Sequence, residues 1–504
     1  MKSEKQIAGK ELFRRLRGLP WEKLWAEEVP GFDRATQAER AERVAVVRAV
    51  GVVFSESGPG ELANEVRGWL RSLLDDPAEK VRRYAMNALP KVGAGRDEEA
   101  GLLALLQKTN IDREKKFLAG ALDKIGGEQT LAATRGLLPQ TEQKARAAVA
   151  RSASPGSIRM DRVLEDFAGV TIALRGRRGL ECIVRQEVEA AAHDKFRVLD
   201  QSDGLVLIEA LAPFSLGDIY KLRCFGTAGF CLGAAPAGRQ AERIASPPAL
   251  RLFRTFTEGV PRYRIDFVSK GHQRAAVREL ANRVYALCPE ILNDPRSALW
   301  AVDVHSTVRG EMAELRPRLV PDPRFAYRLQ DIPAASHPPL AACMARLAGK
   351  IEEEIVWDPF CGSGVELVEC ALRGRVRRLF GTDLSAEAIS VAQNNLAAAG
   401  IAPDAAQLVC CDFREHESIE GLEAGSVSLI ITNPPLGMRV PIPNLRQLID
   451  DLFSVAAAAL KPGGRLVFVN PLHTESPHRQ LKRQFRQLVD MSGFDCRMEM
   501  YVKT

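Results

Sequence analysis

Over roughly the first 150 residues, apolar positions recur at helical spacing and no alternating strand-like runs occur, so this part is read as all-helical. In "LDDPAEKVRRYAMNALPKVG", residues 74–93, Asp76-Pro77 suits a helix start. Val81, Tyr84, Ala85, Ala88 and Leu89 then share one face, and Gly93 suits the end. "REKKFLAGALDKIGG", residues 113–127, echoes this order, and "EQKARAAVARSA" does so more loosely. "RSASPGSIRMDR", residues 151–162, combines Ser, Pro and Gly and reads as a linker.

Beyond the linker the period changes. "GVTIALRGRRGLECIVRQEVEAA" reads as strand, basic turn and helix, and "FRVLDQSDGLVLIEA" as two strands around Ser202-Asp203-Gly204. With a helix at "LGDIYKLRCF" and a further apolar run, the order suits a small α+β unit of ferredoxin-like type. "RYRIDFVSKGHQRAAVRELANRVYALC" repeats strand, basic loop and helix. "LWAVDVHST" and "EMAELRPRL" supply later strands of a second α+β unit. From about residue 350, "EIVWDPF", "RLFGTDL", "QLVCCDF", "VSLIITNPP" and "GRLVFVNP" alternate with helical segments. That pattern means a doubly wound parallel sheet, whose ligands sit at the C-terminal strand ends. The closing "FDCRMEMYVKT" offers one strand after the last helix, so a six-stranded or trimmed sheet edge is expected.

Length and charge refine this picture only a little. The 504 residues suggest three or four domains, and 46% hydrophobic residues are ordinary for packed cores. Lys and Arg total 70 against 64 acids, a mild excess that permits a nucleic-acid partner without demanding one. Ten cysteines without CxxC pairing fit a reducing compartment and no structural zinc, so no metal site is expected. The N-terminus lacks the apolar core of a signal peptide, and no run approaches the ~18 apolar residues of a membrane span, so a cytoplasmic protein is expected.

The candidate chemistry lies at four successive strand ends. Asp358-Pro359-Phe360-Cys361-Gly362-Ser363-Gly364 follows the first strand, with glycines that allow a tight turn and close approach to a ligand. Asp383 follows the second, roughly 20 residues on, placed to accept from ribose hydroxyls. Asp412-Phe413 follows the third and offers an acceptor and an aromatic face. After the fourth comes Asn433-Pro434-Pro435-Leu436-Gly437. Its prolines stiffen the loop and leave the Asn433 amide and Pro434 carbonyl as two defined acceptors.

Glycine loop, acid, acid and N-P-P-x in this order resemble the class I S-adenosylmethionine-dependent methyltransferases that act on amino nitrogens. "DPFCGSG" is close to the form found in enzymes of RNA guanine, and "LKPGGRLVFV" is similar to their run into the fifth strand. "LRGRRGLECIVRQEV" resembles the opening of the N-terminal ferredoxin-like domain, and "YRIDFVSKGHQRAAVRELANRV" looks like a THUMP domain. "YRLQDIPAASHPPLAACMARLAG" resembles the connector into the catalytic core. The resemblance, over roughly residues 168–500, is to the THUMP-domain guanine-N2 RNA methyltransferases of transfer RNA or large-subunit (23S) ribosomal RNA. It implies a multidomain chain with a ferredoxin-like domain at 168–240, a THUMP domain at 241–328 and a Rossmann-like α/β methyltransferase domain at 329–504. The preceding helices, 1–155, resemble HEAT repeats, which often bind a protein partner.

Carried over, Asp358, Gly362 and Gly364 would meet the methionine part of S-adenosylmethionine, with Pro359, Phe360, Cys361 and Ser363 completing the loop. Asp383 would meet its ribose, and Asp412 with Phe413 its adenine. Asn433 and Pro434 would hold the target amine, with Pro435 and Leu436 beside them. Many relatives place an aromatic residue where this chain has Leu436. Structured RNA would be captured by Arg175, Arg177 and Arg178 at one turn and by Lys270, His272 and Arg274 at another. Adenine N6 and a glutamine side-chain amide are alternative acceptors, since N-P-P-x serves all three. A non-catalytic RNA-binding scaffold is the alternative from another class. An NAD-binding dehydrogenase shares the sheet and the ribose acid, but the N-P-P loop speaks against it.

Overall fold

The computed structural model describes residues 4–504 apart from 136–137, 154, 269–270, 272, 308–309, 334, 438–441 and 473. The chain forms two compact units, one of residues 1–157, 235–250 and 257–311, the other of 158–234, 251–256 and 312–504. The first unit begins with helices, among them α1 (Ala45–Ser57), α2 (Glu79–Ala88), α3 (Asp112–Ile125) and α4 (Pro139–Ala153). Val46, Val50, Val81, Ala85, Leu118 and Leu122 are fully buried in one shared core, as their spacing requires. Gly51 lets α1 approach α2 closely, because a Cβ there would lie 2.8 Å from Ala88 Cβ. Asp76 fixes the turn ahead of α2. It accepts from the Ala78 amide at 2.8 Å and from Arg40 at 2.6 Å. Helix α4 runs through Arg151 to Ala153, so the expected linker starts later than its composition implies. The Arg151 guanidinium is held by buried Asp294 at 2.5 Å.

The next elements belong to the second unit: β1 (Thr171–Arg175), α5 (Glu181–Ala191), β2 (Phe196–Ser202), β3 (Leu205–Ala210), α6 (Leu216–Ile219) and β4 (Thr227–Ala235). Their strands are antiparallel in the order β4-β1-β3-β2. In the first unit, β5 (Arg262–Phe267), α7 (Arg274–Leu287), β6 (Leu292–Asn293) and β7 (Trp300–Thr307) follow, with β6 and β7 each parallel to β5. Strand β8 (Gly310–Pro317) pairs with β4.

The remainder is α8 (Pro338–Leu347), β9 (Glu352–Asp358), α9 (Val365–Arg373), β10 (Arg375–Asp383), α10 (Ala386–Ala398), β11 (Ala406–Cys410), β12 (Val427–Thr432), α11 (Leu445–Ala459), β13 (Leu460–Asn470), β14 (Leu481–Asp490) and β15 (Asp495–Lys503). These strands form one seven-stranded sheet, β11-β10-β9-β12-β13-β15-β14, parallel except for β15, which runs antiparallel to both its neighbours. Trp357, Ile430, Leu466 and Phe468 are fully buried. The central strands read as continuous apolar runs because both faces of the sheet are covered.

The expected six-stranded or trimmed edge is corrected here. Residues 481–490 are a strand, and β14 with β15 completes the sheet as a hairpin. Among the described residues, no helix is long and apolar enough to cross a membrane.

Candidate methyl-transfer site

A cavity of about 1080 Å³ opens at the C-terminal ends of β9, β10, β11 and β12. Its wall includes Pro359, Phe360, Cys361, Gly362, Ser363, Asp383, Asp412, Phe413, Asn433, Pro434, Pro435 and Leu436. Four segments far apart in sequence thus converge because each follows a strand of one parallel sheet. The first loop turns through two left-handed glycines, Gly362 (φ 51°) and Gly364 (φ 79°). At Gly364 a Cβ would lie 2.7 Å from Leu396 Cδ1, so this corner of the loop packs against α10 only as glycine. Asp383 ties the first two strand ends together by accepting from the Gly362 amide at 3.0 Å and the Ser385 amide at 2.9 Å.

Asp358 lies fully buried at the root of the loop. Its Oδ1 accepts from the Phe360 amide at 3.0 Å and from Thr432 Oγ1 at 2.6 Å, while Oδ2 has no partner. Burial, and next the neighbouring Glu366 carboxyl, push its pKa well above the usual carboxylate range. Glu366, in the first turn of α9, is 3% exposed, lines the cavity and also leaves one oxygen unpaired. Burial raises its pKa, against the opposing pull of the Ser336 hydroxyl. Cys361 is buried and its thiol is pushed up by burial, which makes it loop packing and not a nucleophile.

The N-P-P loop carries the sharpest feature. Asn433 Nδ2 donates to Ser336 Oγ at 2.9 Å, and Asn433 Oδ1 is buried without a hydrogen-bond partner. Pro434 is buried, and Pro435 and Leu436 are half-buried along the cavity wall. Phe413 packs against Phe360 with ring centroids 4.8 Å apart. Asp412 accepts from the Arg414 amide at 3.0 Å and from its guanidinium at 2.7 Å, so Arg414 shares the carboxylate expected to meet adenine.

The basic residues expected to capture RNA divide three ways. Arg175 forms a two-pronged pair with Glu314, one contact at 2.8 Å, and Glu314 is buried. The guanidinium neutralises a buried carboxylate while its own side chain stays 30% exposed. Arg177 donates to the Asp490 carbonyl at 3.0 Å and to Ser492 Oγ at 3.1 Å, and Arg178 pairs with Asp495 at 3.1 Å, so both buttress the β14–β15 turn. Arg274 is exposed at the start of α7. Lys270 and His272 lie outside the described residues, as do Met438 and Arg439 past the N-P-P loop.

Ser336, Glu366, Thr432 and Arg414 escaped the sequence reading. Glu366 had a signal, a carboxylate inside the otherwise apolar helix "VELVECAL". Ser336 had none, since its meaning depends on Asn433 almost a hundred residues away.

The seven-stranded sheet and its strand-end loops define a Rossmann-like methyltransferase fold. Residues 326–498 match the family described as UPF0020, RMKL-like, methyltransferase domain. The solved structure of TrmN from Thermus thermophilus is similar with a TM-score of 0.52 at 21% identity, covering 66% of this chain and all of TrmN.

Curated relatives include a tRNA (guanine(6)-N2)-methyltransferase of Archaeoglobus fulgidus, 26% identical over 35% of this chain and 47% of that protein. A tRNA (guanine(10)-N2)-dimethyltransferase of Methanothermobacter thermautotrophicus is 28% identical over 28% of this chain and 39% of its own length. The U6 snRNA (guanine-N(2))-methyltransferase THUMPD2 of Bos taurus is 31% identical over 28% and 26%. The chain thus spans less than half the length of each of these relatives.

Proposed function

We propose that this protein transfers a methyl group from S-adenosylmethionine to the exocyclic N2 of a guanosine in transfer RNA or ribosomal RNA. The observation that carries the reading is Asn433 Oδ1, a buried acceptor with no partner, held on a proline-stiffened loop in the cavity wall. A buried acceptor left empty costs free energy that a ligand donor recovers, and a base amine supplies two N–H donors. The resemblance to proteins acting on guanine N2 chooses that base over adenine or glutamine.

The residues present fit the cofactor. Asp358 Oδ2 is a buried carboxyl oxygen with no hydrogen-bond partner at the root of the glycine loop, and its ionised form suits the methionine ammonium. Asp383 would take the ribose hydroxyls, and Asp412 with Phe413 the adenine. When bound, the cofactor supplies an electrophilic methyl group on its sulfonium. Asn433 Oδ1 and the Pro434 carbonyl then accept from the two amine hydrogens, localise a lone pair otherwise delocalised into the ring, and aim it. Catalysis on this reading is positioning and electrostatics without a covalent intermediate. The target base leaves its stack to reach the cavity, where Phe360 and Leu436 offer apolar faces.

The chain's other parts follow the same reading: HEAT-like helices at 1–155, a ferredoxin-like domain at 168–240 with strand order β4-β1-β3-β2, and a THUMP domain at 241–328. The catalytic domain is 329–504, in a cytoplasmic protein. The test is nucleoside mass spectrometry of transfer and ribosomal RNA from the native host with and without the gene, with purified protein and labelled S-adenosylmethionine added back. One N2-methylguanosine lost and restored establishes the reading. Cofactor binding with no change in any nucleoside would move the acceptor to protein glutamine.

A further inference from the structure

A second cavity, of about 1150 Å³, lies wholly within the first unit and has no role in the methyl-transfer site. Its walls come from α3 and α4 of the helical region and from α7 and the segment after β6. One face of α3 presents Arg113, Lys116, Phe117, Gly120 and Lys124, spaced at i, i+3, i+4, i+7 and i+11. One face of α7 presents Arg274, Val277, Arg278 and Ala281 at the same helical interval. Both helices thus bring cations into one space, and Arg296 adds another.

The carboxylates in the cavity wall are each paired with a cation of that wall: Asp294 with Arg151 at 2.5 Å, Asp266 with Arg264 at 2.6 Å, and Asp123 with Lys144. Among the described residues, Arg113, Lys116, Lys124, Arg274, Arg278 and Arg296 have no such carboxylate, and all six are exposed. Gln143 on α4 supplies an independent sign of a ligand. It is 5% exposed and lines the cavity, and its Nε2 donor has no hydrogen-bond partner. Gly120, in the middle of the α3 face, has open space where a Cβ would stand, so a ligand backbone can come close there.

We infer that this cleft binds the sugar-phosphate backbone of the structured RNA substrate, so that the helical region is an RNA-binding element and not a protein-docking one. The inference rests on the RNA reading of the previous subsection and gives the N-terminal helices a task within it. Cations three or four residues apart on a helix stand about 5–6 Å from one another, a row of like charges suited to successive phosphates. An unpaired amide donor adds a contact to a phosphate or ribose oxygen. An acidic polypeptide is the poorer fit, because a flexible carboxylate chain pays more ordering entropy for the same charges than a pre-formed RNA helix.

The test uses the full chain and fluorescently labelled deacylated total tRNA. The triple change R113E/K116E/K124E is expected to weaken tRNA binding tenfold or more and to lower the slope of log K against log salt by about 2. Binding of S-adenosylmethionine should stay unaltered. K116R/K124R, which keeps the charges, should bind as the wild type does, and Gln143→Leu should weaken binding severalfold at an unchanged salt slope. Affinity and slope unchanged in the triple variant would overturn the inference while leaving the methyltransferase reading intact. Displacement of tRNA by polyglutamate as effectively as by unlabelled tRNA would overturn it in favour of an acidic protein. A wild-type chain that bound cofactor but neither tRNA nor ribosomal RNA would remove the RNA reading itself.

Discussion

Asn433 donates to Ser336 Oγ at 2.9 Å, and that bond decides which polar end of the Asn433 side chain is left for a ligand. With Nδ2 occupied, the buried Oδ1 is the free end, which is the end an amine needs. Asn433→Ala is therefore expected to lower kcat by about 10²–10³, the range seen when one pre-aimed polar group is removed from a reacting centre. Ser336→Ala should cost about tenfold in kcat, because it frees the amide to rotate without removing it. Neither change should alter cofactor affinity. Equal losses in the two variants would make Ser336 more than a positioning residue.

Asp358→Asn is expected to abolish cofactor binding in calorimetry and at the same time to stabilise the unliganded fold. The folded chain holds the Asp358 proton at pH values where the unfolded chain has released it, since burial and Glu366 raise the folded pKa. Wild-type stability from this group is therefore fully present below the unfolded carboxylate pKa of about 3.9 and is lost as pH rises through the folded value. The stability difference, Asn variant minus wild type, should grow from pH 5 to pH 8 in urea denaturation. A difference independent of pH would show that Asp358 does not titrate.

Leu436→Phe should improve substrate holding. Base-aromatic stacking is worth about 1–3 kcal/mol, and at the lower end this corresponds to a KM for RNA roughly fivefold smaller with little change in kcat. A larger KM would mean that Leu436 packs where the base does not go.

Arg223 makes two contacts of 2.8 Å with Glu369, whose oxygen also takes the Tyr327 hydroxyl at 2.7 Å. The Glu369 side chain is 1% exposed, so Arg223→Met leaves a buried carboxylate unpaired and should destabilise the second unit by about 3 kcal/mol in chemical denaturation. Arg223→Met combined with Glu369→Leu should recover most of the loss.

The strand ends were legible because their chemistry is local: each of Asp358, Asp383, Asp412 and Asn433 sits just past an apolar run that could only be a strand. The sheet edge was not. In "LKRQFRQLVD" the apolar residues Leu481, Phe485, Leu488 and Val489 fall at helical intervals, and a register shift between Arg483 and Phe485 breaks the alternation a strand would show. Pairing with β15 overrides that local preference. Likewise the basic turn at 175–178 read as a phosphate grip. Its neighbours Glu314, Asp490 and Asp495 are distant in sequence, and they decide what those arginines bond.

The buried Arg223–Glu369–Tyr327 cluster joins a residue just before β4 to helix α9, the helix that starts at the glycine loop. Such a joint does not hinge cheaply. It makes the small antiparallel sheet and the strand-end cavity a single calliper of fixed span, so whatever rests on the one is held at a set distance from the group presented to the other.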